Sequence, residues 1–395
     1  MTRARVVIVQ RYVTHYRVPF FQRLRADLAA HDVQLDLVHG IDVDEDEAED
    51  KDDPSFTQAL PWSILVANRW VGIRSKSLLW QSAMRHVHGA DLVIVEQASA
   101  RLLNYRLFAS QITGRRRLAF WGHGRNFKPH KASRPGESVK RTMSTRVHWW
   151  FAYNHLSAEV VRDLGFPPER ITNVQNAVDT RELRRAHLAV SEEDAAAVRT
   201  ELGAPRSPIG IYVGTMYDDK RLAFLVAAAE HLRALVPDFV LVLVGEGPDE
   251  HIAAQAARRH SWVRYLGPKR GIEMVPYVSV ADLFLMPGLV GLAILDAFAL
   301  EAPIVTTQDA PHSPEIAYLE DGRNGVMLPE GTTAQEYAQQ VARLLGDHQR
   351  LQSLRAGGRA AAERYTIEEM SARFTGGVVE ALSAPPLRGV RPSLR

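Results

Sequence analysis

The 395 residues include no cysteine, which excludes disulfides and thiolate chemistry and leaves no need for an oxidising compartment. No stretch approaches the roughly 20 consecutive apolar residues of a membrane-spanning helix. The opening MTRARVVIVQRY has an apolar run of strand length. It has neither the apolar core nor the small-residue cleavage site of a secretory signal, so a cytoplasmic protein is expected. Two nucleotide signatures are missing as well. No G-x-G-x-x-G follows the first apolar run, and no G-x-x-x-x-G-K-[ST] occurs. No nucleic-acid motif is present and no His/Asp/Glu cluster has metal-ligand spacing, so no cofactor, metal or nucleic-acid partner is expected.

An excess of either charge is missing overall, with 48 Lys/Arg against 46 Asp/Glu and a net +2, but the charges are segregated. Asp42 to Asp53 holds nine acids and one lysine, the mark of a solvated loop. Arg115 to Arg146 holds ten Lys/Arg and one acid, Glu137. This basic run leads into Trp149 and Trp150. Cations beside aromatics fit an anionic bilayer surface, which would make the protein peripheral on the inner face of a membrane; a buried strand fits the tryptophans equally.

Length and pattern point to two domains of about 150–200 residues. Apolar runs of strand length alternate with longer amphipathic stretches: VVIVQ from Val6, VQLDLV from Val33, DLVIVEQ from Asp91, RLAFWGHG from Arg117, ITNVQNAVD from Ile171. A second series starts with PIGIYVG at Pro208 and runs through FVLVLVGEG, VRYLG, DLFLMPG and PIVTT. Such alternation predicts parallel strands with crossover helices. We read residues 1–185 as one doubly wound domain and 186–365 as a second, with ligands bound in a cleft between them, and 366–395 as a helix that can cross back, followed by a disordered tail. Ser191 is placed to cap a helix that Gly203 stops.

The segment PGLVGLAILDAFALEAP, Pro287 to Pro303, carries the most chemistry. A strand runs into a glycine turn and then into an apolar helix opening near Leu292, with Asp296 one turn inside. Backbone N–H groups at such a helix start can face a phosphate, with an acid nearby for a sugar hydroxyl. An ordinary buried strand–turn–helix has the same pattern.

Five motifs in order resemble the retaining glycosyltransferases of family 4, which have the GT-B fold. They are VGTMYDDK (Val213 to Lys220), VGEGPD (from Val244), YLGPKR (from Tyr265), the segment from Pro287, and PEIAYLEDGRNG (from Pro314). The likeness covers roughly residues 150–345, and the first 150 only in outline. It implies an α/β protein of two Rossmann-like domains. It implies transfer of a hexosyl group, with retention, from a nucleotide-diphosphate sugar to a sugar or lipid-linked acceptor, in polysaccharide or glycolipid assembly and without a metal. Carried over by position, Gly214, Lys220, Val290, Gly291 and Leu292 line the donor diphosphate and Asp296 takes the ribose. His123, between two glycines, stands near the donor sugar; it and Lys220 are the catalytic candidates. Arg17, Glu96, Arg125 and Asn126 are acceptor candidates.

This chain departs from the pattern at three places. In the family two acids lie eight residues apart, the spacing of Gly288 and Asp296 here, so the first acid is absent and the second is one methylene shorter. The usual arginine falls on Thr215. Arg221 replaces a glycine and is a candidate for the lost cation. Two other functions stay open on the sequence: another GT-B enzyme such as a nucleotide-sugar epimerase, and a non-catalytic sugar-nucleotide binder.

Overall fold

A computed structural model describes residues 3–42, 59–73, 76–112, 117–124 and 143–385. Arg125, Asn126, most of the acidic run and the last ten residues lie outside them. Of the ten cations of the basic run, only Arg117 and Arg146 are described. The chain divides into two compact units, Met1–Val178 with Ile367–Arg395, and Asp179–Thr366.

The first unit is built on eight strands: β1 (Ala4–Gln10), β2 (Val33–Asp42), β3 (Ile64–Ile73), β4 (Lys76–Gln81), β5 (Leu92–Glu96), β6 (Arg117–Gly122), β7 (Trp149–Ala152) and β8 (Ile171–Asn173). Their order is β4-β3-β2-β1-β5-β6-β7-β8, parallel except for the β3–β4 hairpin. Unbroken apolar runs such as VVIV in β1 and LVIV in β5 are buried on both faces, as central parallel strands must be. Trp149 and Trp150 belong to this core at 3% and 0% exposure, so they offer nothing to a bilayer. The aromatic half of the surface reading fails because β7 is covered on both sides.

The helix Ile367–Ser383 packs against the helix Val18–Ala29 of the same unit. Phe374 stacks on Phe151 with centroids 4.3 Å apart. The last carbonyls are held from the sheet: Arg117 donates to Leu382 O at 2.5 Å, His148 Nε2–H to Ala381 O at 2.9 Å, and Arg170 to Pro385 O at 2.8 Å. Burial presses His148 down to about 4, against the hydrogen bond to Ala381, so the imidazole is neutral at neutral pH.

The second unit has six parallel strands: β9 (Ile209–Val213), β10 (Val240–Val244), β11 (Val263–Tyr265), β12 (Leu283–Leu285), β13 (Ile304–Thr307) and β14 (Gly325–Leu328), in the order β11-β10-β9-β12-β13-β14. The helices Glu192–Glu201 and Ala334–Gly346 begin with capping boxes at Ser191 and Thr333. The helix Arg181–Ala189, which a boundary at 185 would split, packs wholly within this unit, against the helices Val275–Ser279 and Ala293–Ala299.

In each sheet the strand order reverses once, between β1 and β5 and between β9 and β12. Crevices at the carboxyl ends of such strands are where open α/β sheets bind ligands.

Candidate active site

In the second unit the crevice is bounded by the loops after β9, β12 and β13. Lys220 ends a short 3-10 turn, Asp218–Lys220, and is only 7% exposed. Its Nζ donates to Leu289 O at 2.6 Å, while Leu289 N–H donates to Asp219 O at 2.7 Å. The β9 loop and the β12 loop are thereby tied side by side. Gly288 lies at the tie: a Cβ there would stand 2.3–2.4 Å from the backbone of Asp219 and Lys220. The position that holds an acid in the family pattern has no room for one here.

The other candidates fall around this tie. Gly214 has φ +154, and its N–H donates to Val244 O at 3.1 Å. The Thr215 carbonyl accepts from the Tyr212 hydroxyl at 2.9 Å. Arg221 sits in the left-handed region at φ 54, which explains the glycine usual there. Its guanidinium donates to Thr307 Oγ1 at 3.0 Å, lies 3.6 Å from Asp309, and covers the Phe224 ring at 4.3 Å. Val290 N–H is taken by His312 Nδ1 at 3.1 Å. The N–H groups of Gly291 and Leu292 meet no acceptor among the described residues. Leu292 caps the helix Ala293–Ala299, whose first turn holds Asp296. The Asp296 side chain is half-buried, open enough for a ligand to reach; no donor among the described residues reaches its carboxyl, and its apolar surroundings push it up to about 7.

Sequence reasoning missed His312 and Thr307. The His312 ring accepts from Val290 at Nδ1 and donates from Nε2 to Thr307 O at 2.7 Å. These two bonds fix the neutral tautomer. Burial first, and the nearby Lys220 charge after it, hold its pKa below the ordinary value. The Thr307 hydroxyl donates to Pro287 O at 2.8 Å. His312 thus joins the end of β13 to the β12 loop across 22 residues, which no local pattern announces.

In the first unit, His123 follows β6 and packs edge-on against Tyr153, centroids 4.1 Å apart. Arg17 lies over the same Tyr153 ring at 5.8 Å, so the fold brings these two candidates together. Glu96 is engaged elsewhere: it accepts Arg11 N–H at 2.8 Å and pairs with Arg101 at 2.5 Å. Among the described residues no group of three or more His, Asp or Glu is placed to hold a metal ion, and no helix is long and apolar enough to cross a membrane.

Residues 207–347 match the family described as glycosyl transferases group 1. The chain is 25% identical over 145 residues to alpha-monoglucosyldiacylglycerol synthase of Acholeplasma laidlawii, covering 35% of this chain and 36% of that one. It is 28% identical over 214 residues to D-inositol 3-phosphate glycosyltransferase of Jonesia denitrificans, covering 50% and 49%. The chain thus matches half or less of the length of these relatives. The fold agrees over nearly its whole length with Anabaena HepE in complex with UDP, at TM-score 0.71 and 16% identity, covering 95% of this chain and 100% of that one. The architecture is GT-B, as expected from the motifs.

Proposed function

We propose that the chain is a glycosyltransferase that moves a sugar from a nucleotide-diphosphate donor held by the second unit to an acceptor hydroxyl held by the first. The observation that carries this reading is the state of Asp296. A carboxyl without a donor partner, in surroundings that raise its pKa, lacks what hydroxyl groups of a ribose supply. Beside it in sequence stand the N–H groups of Gly291 and Leu292, unengaged among the described residues, and Lys220 is fixed in the same crevice. The match to the group 1 family over this unit, and UDP in the complex of a protein of the same fold, support the assignment and make UDP-sugars the first donors to test.

The bond from sugar C1 to the diphosphate oxygen breaks, and negative charge grows on that oxygen. Lys220 and the two N–H groups stabilise the charge without reorganising. The acceptor oxygen bonds to C1 on the face the diphosphate leaves, which retains configuration. Its proton passes to the departing phosphate oxygen. With the charge met by protein groups, the step runs without a metal, and activity should be unchanged by EDTA. The acceptor is lipid-linked or a sugar of a surface polymer, and the protein works peripherally at a membrane; low-salt co-sedimentation on anionic but not neutral vesicles tests that placement.

The decisive experiment is titration of UDP and UDP-sugars into the wild type and Asp296→Ala. Affinity should fall about ten- to a hundred-fold, the value of a charged hydrogen bond. Equal affinity in a folded variant refutes the assignment.

A further inference from the structure

We propose that the carboxyl edge of the first sheet carries a phosphate-binding site built on Arg17, and that it takes a phosphate group of the acceptor. This assignment to the acceptor rests on the transferase reading above.

Arg17 is half-buried, just beyond β1 and beside the strand-order reversal. Its guanidinium lies among rings, 5.5 Å from Tyr16, 5.3 Å from Trp121 and 5.8 Å from Tyr153. One nitrogen donates to Asn176 Oδ1 at 2.5 Å, and another stands 3.7 Å from the Met370 sulfur. Among the described residues no carboxylate pairs with it. Its neighbours in the same unit differ: Arg5 pairs with Asp36 at 2.7 Å, Arg11 with Asp42 at 2.8 Å and Arg23 with Asp27 at 3.0 Å.

An arginine keeps its charge when buried. This one has exchanged much of its water for aromatic faces, one amide and a thioether, and has no carboxylate partner among the described residues. That arrangement is costly unless an anion completes it. Trp121 is 2% exposed, and its Nε1–H is another buried donor without an acceptor among the described residues. The guanidinium rests over the face of that ring, and a half-buried cation without a carboxylate partner among the described residues calls for an oxygen-rich anion. A guanidinium offers five donors in a planar fork that matches phosphate.

The cluster draws on the carboxyl ends of several parallel strands: Arg17 after β1, Trp121 in β6, Tyr153 after β7 and Asn176 after β8. The helix that Arg17 caps, Val18–Ala29, also favours an anion at its start. A phosphate can arrive on the acceptor or on the nucleotide. We assign it to the acceptor, because the nucleotide's charge is already met in the second unit by Lys220 and the N–H groups of Gly291 and Leu292.

The test is calorimetric titration of inorganic phosphate into the full chain, with UDP saturating the second unit, and of UDP alone. Wild type, Arg17→Gln, Arg17→Lys and Asp296→Ala are compared. Phosphate should bind the wild type and Asp296→Ala alike, at least ten-fold more weakly Arg17→Gln, and with intermediate strength Arg17→Lys. UDP affinity should agree within two-fold between the wild type and Arg17→Gln. Phosphate should also raise the melting temperature of the wild type and of Arg17→Lys but not of Arg17→Gln; a merely structural arginine would lower all curves by the same amount with and without phosphate. No phosphate binding by the wild type, equal binding by Arg17→Gln, or a ten-fold loss of UDP affinity in that variant overturns the proposal. Phosphate bound through Arg17 in a chain that binds none of UDP, GDP, ADP or dTDP upholds the site and removes the transferase reading instead.

Discussion

In the second unit, the loops that follow β9, β12 and β13 are tied to one another by bonds that each end on a main-chain atom: Leu289 N–H to Asp219 O, Lys220 Nζ to Leu289 O, Val290 N–H to His312 Nδ1, and the Thr307 hydroxyl to Pro287 O. In the first unit, the loops after β1, β6 and β7 meet through side chains, with Arg17, Trp121, His123 and Tyr153 stacked edge to face. Ties that end on the main chain hold its N–H groups and carbonyls in one place. They suit a ligand part that never varies, such as a diphosphate. Side-chain clusters can change one residue at a time, which suits a variable acceptor.

The sharpest way to break this contrast is Gly288→Ala. The new methyl must enter space already occupied by the Asp219 and Lys220 backbone. The expected cost is about 3 kcal/mol, the upper end for overpacking, with a matching fall in UDP affinity. Urea unfolding measures it, and an unperturbed midpoint would show that the two loops can separate freely.

Lys220→Ala should lower turnover by about a hundred-fold, the scale of a lost charge stabiliser, with a smaller effect on apparent donor affinity. It also leaves Leu289 O without its donor, at about 1–3 kcal/mol of stability. Steady-state kinetics at saturating donor separates the two. If turnover held and only affinity fell, the lysine would merely anchor the nucleotide.

For UDP binding the smallest effect is a pH dependence, about ten-fold in affinity. Asp296 ionises at about 7 when folded, against an ordinary carboxyl near 3.8 when unfolded. Between those values the unfolded chain loses a proton that the folded chain keeps. This residue's contribution to stability is therefore complete below pH 4 and fades as pH rises to 7. Asp296→Asn should remove that decline, so its stability relative to the wild type grows with pH and levels off above 7. UDP affinity of the wild type should rise about ten-fold from pH 6 to pH 8, following the ionised fraction. A flat profile would mean that the carboxyl does not accept from the nucleotide.

Much of this was legible in the sequence because it is local. Strand-length apolar runs, the Ser191 cap and the turn from Pro287 into its helix each need only a few neighbouring residues. What escaped was long-range or short. The β3–β4 hairpin and β14 carry no strong alternation. The closure around Gly288 comes from residues 68 and 69 positions earlier in the chain. Trp149 and Trp150 followed a basic run, yet β6 and β8 on either side draw them into the core. His312 lies two residues before a recognised motif, and only the folded chain shows what its ring joins.

The helix Ile367–Ser383 has a further consequence, for the order of events during synthesis. The second unit is one continuous stretch, Asp179–Thr366, and can complete its sheet as soon as it clears the ribosome. The first unit starts earlier and finishes later. Its strands emerge first, but the face that receives Phe374, and Arg117, His148 and Arg170 that hold the helix end, wait for residues made roughly 190 positions after β8. Until then a broad apolar surface stays open on the nascent chain. A stop after Thr366 should therefore leave the nucleotide-binding half intact and turn the other half into a substrate for chaperones and proteases.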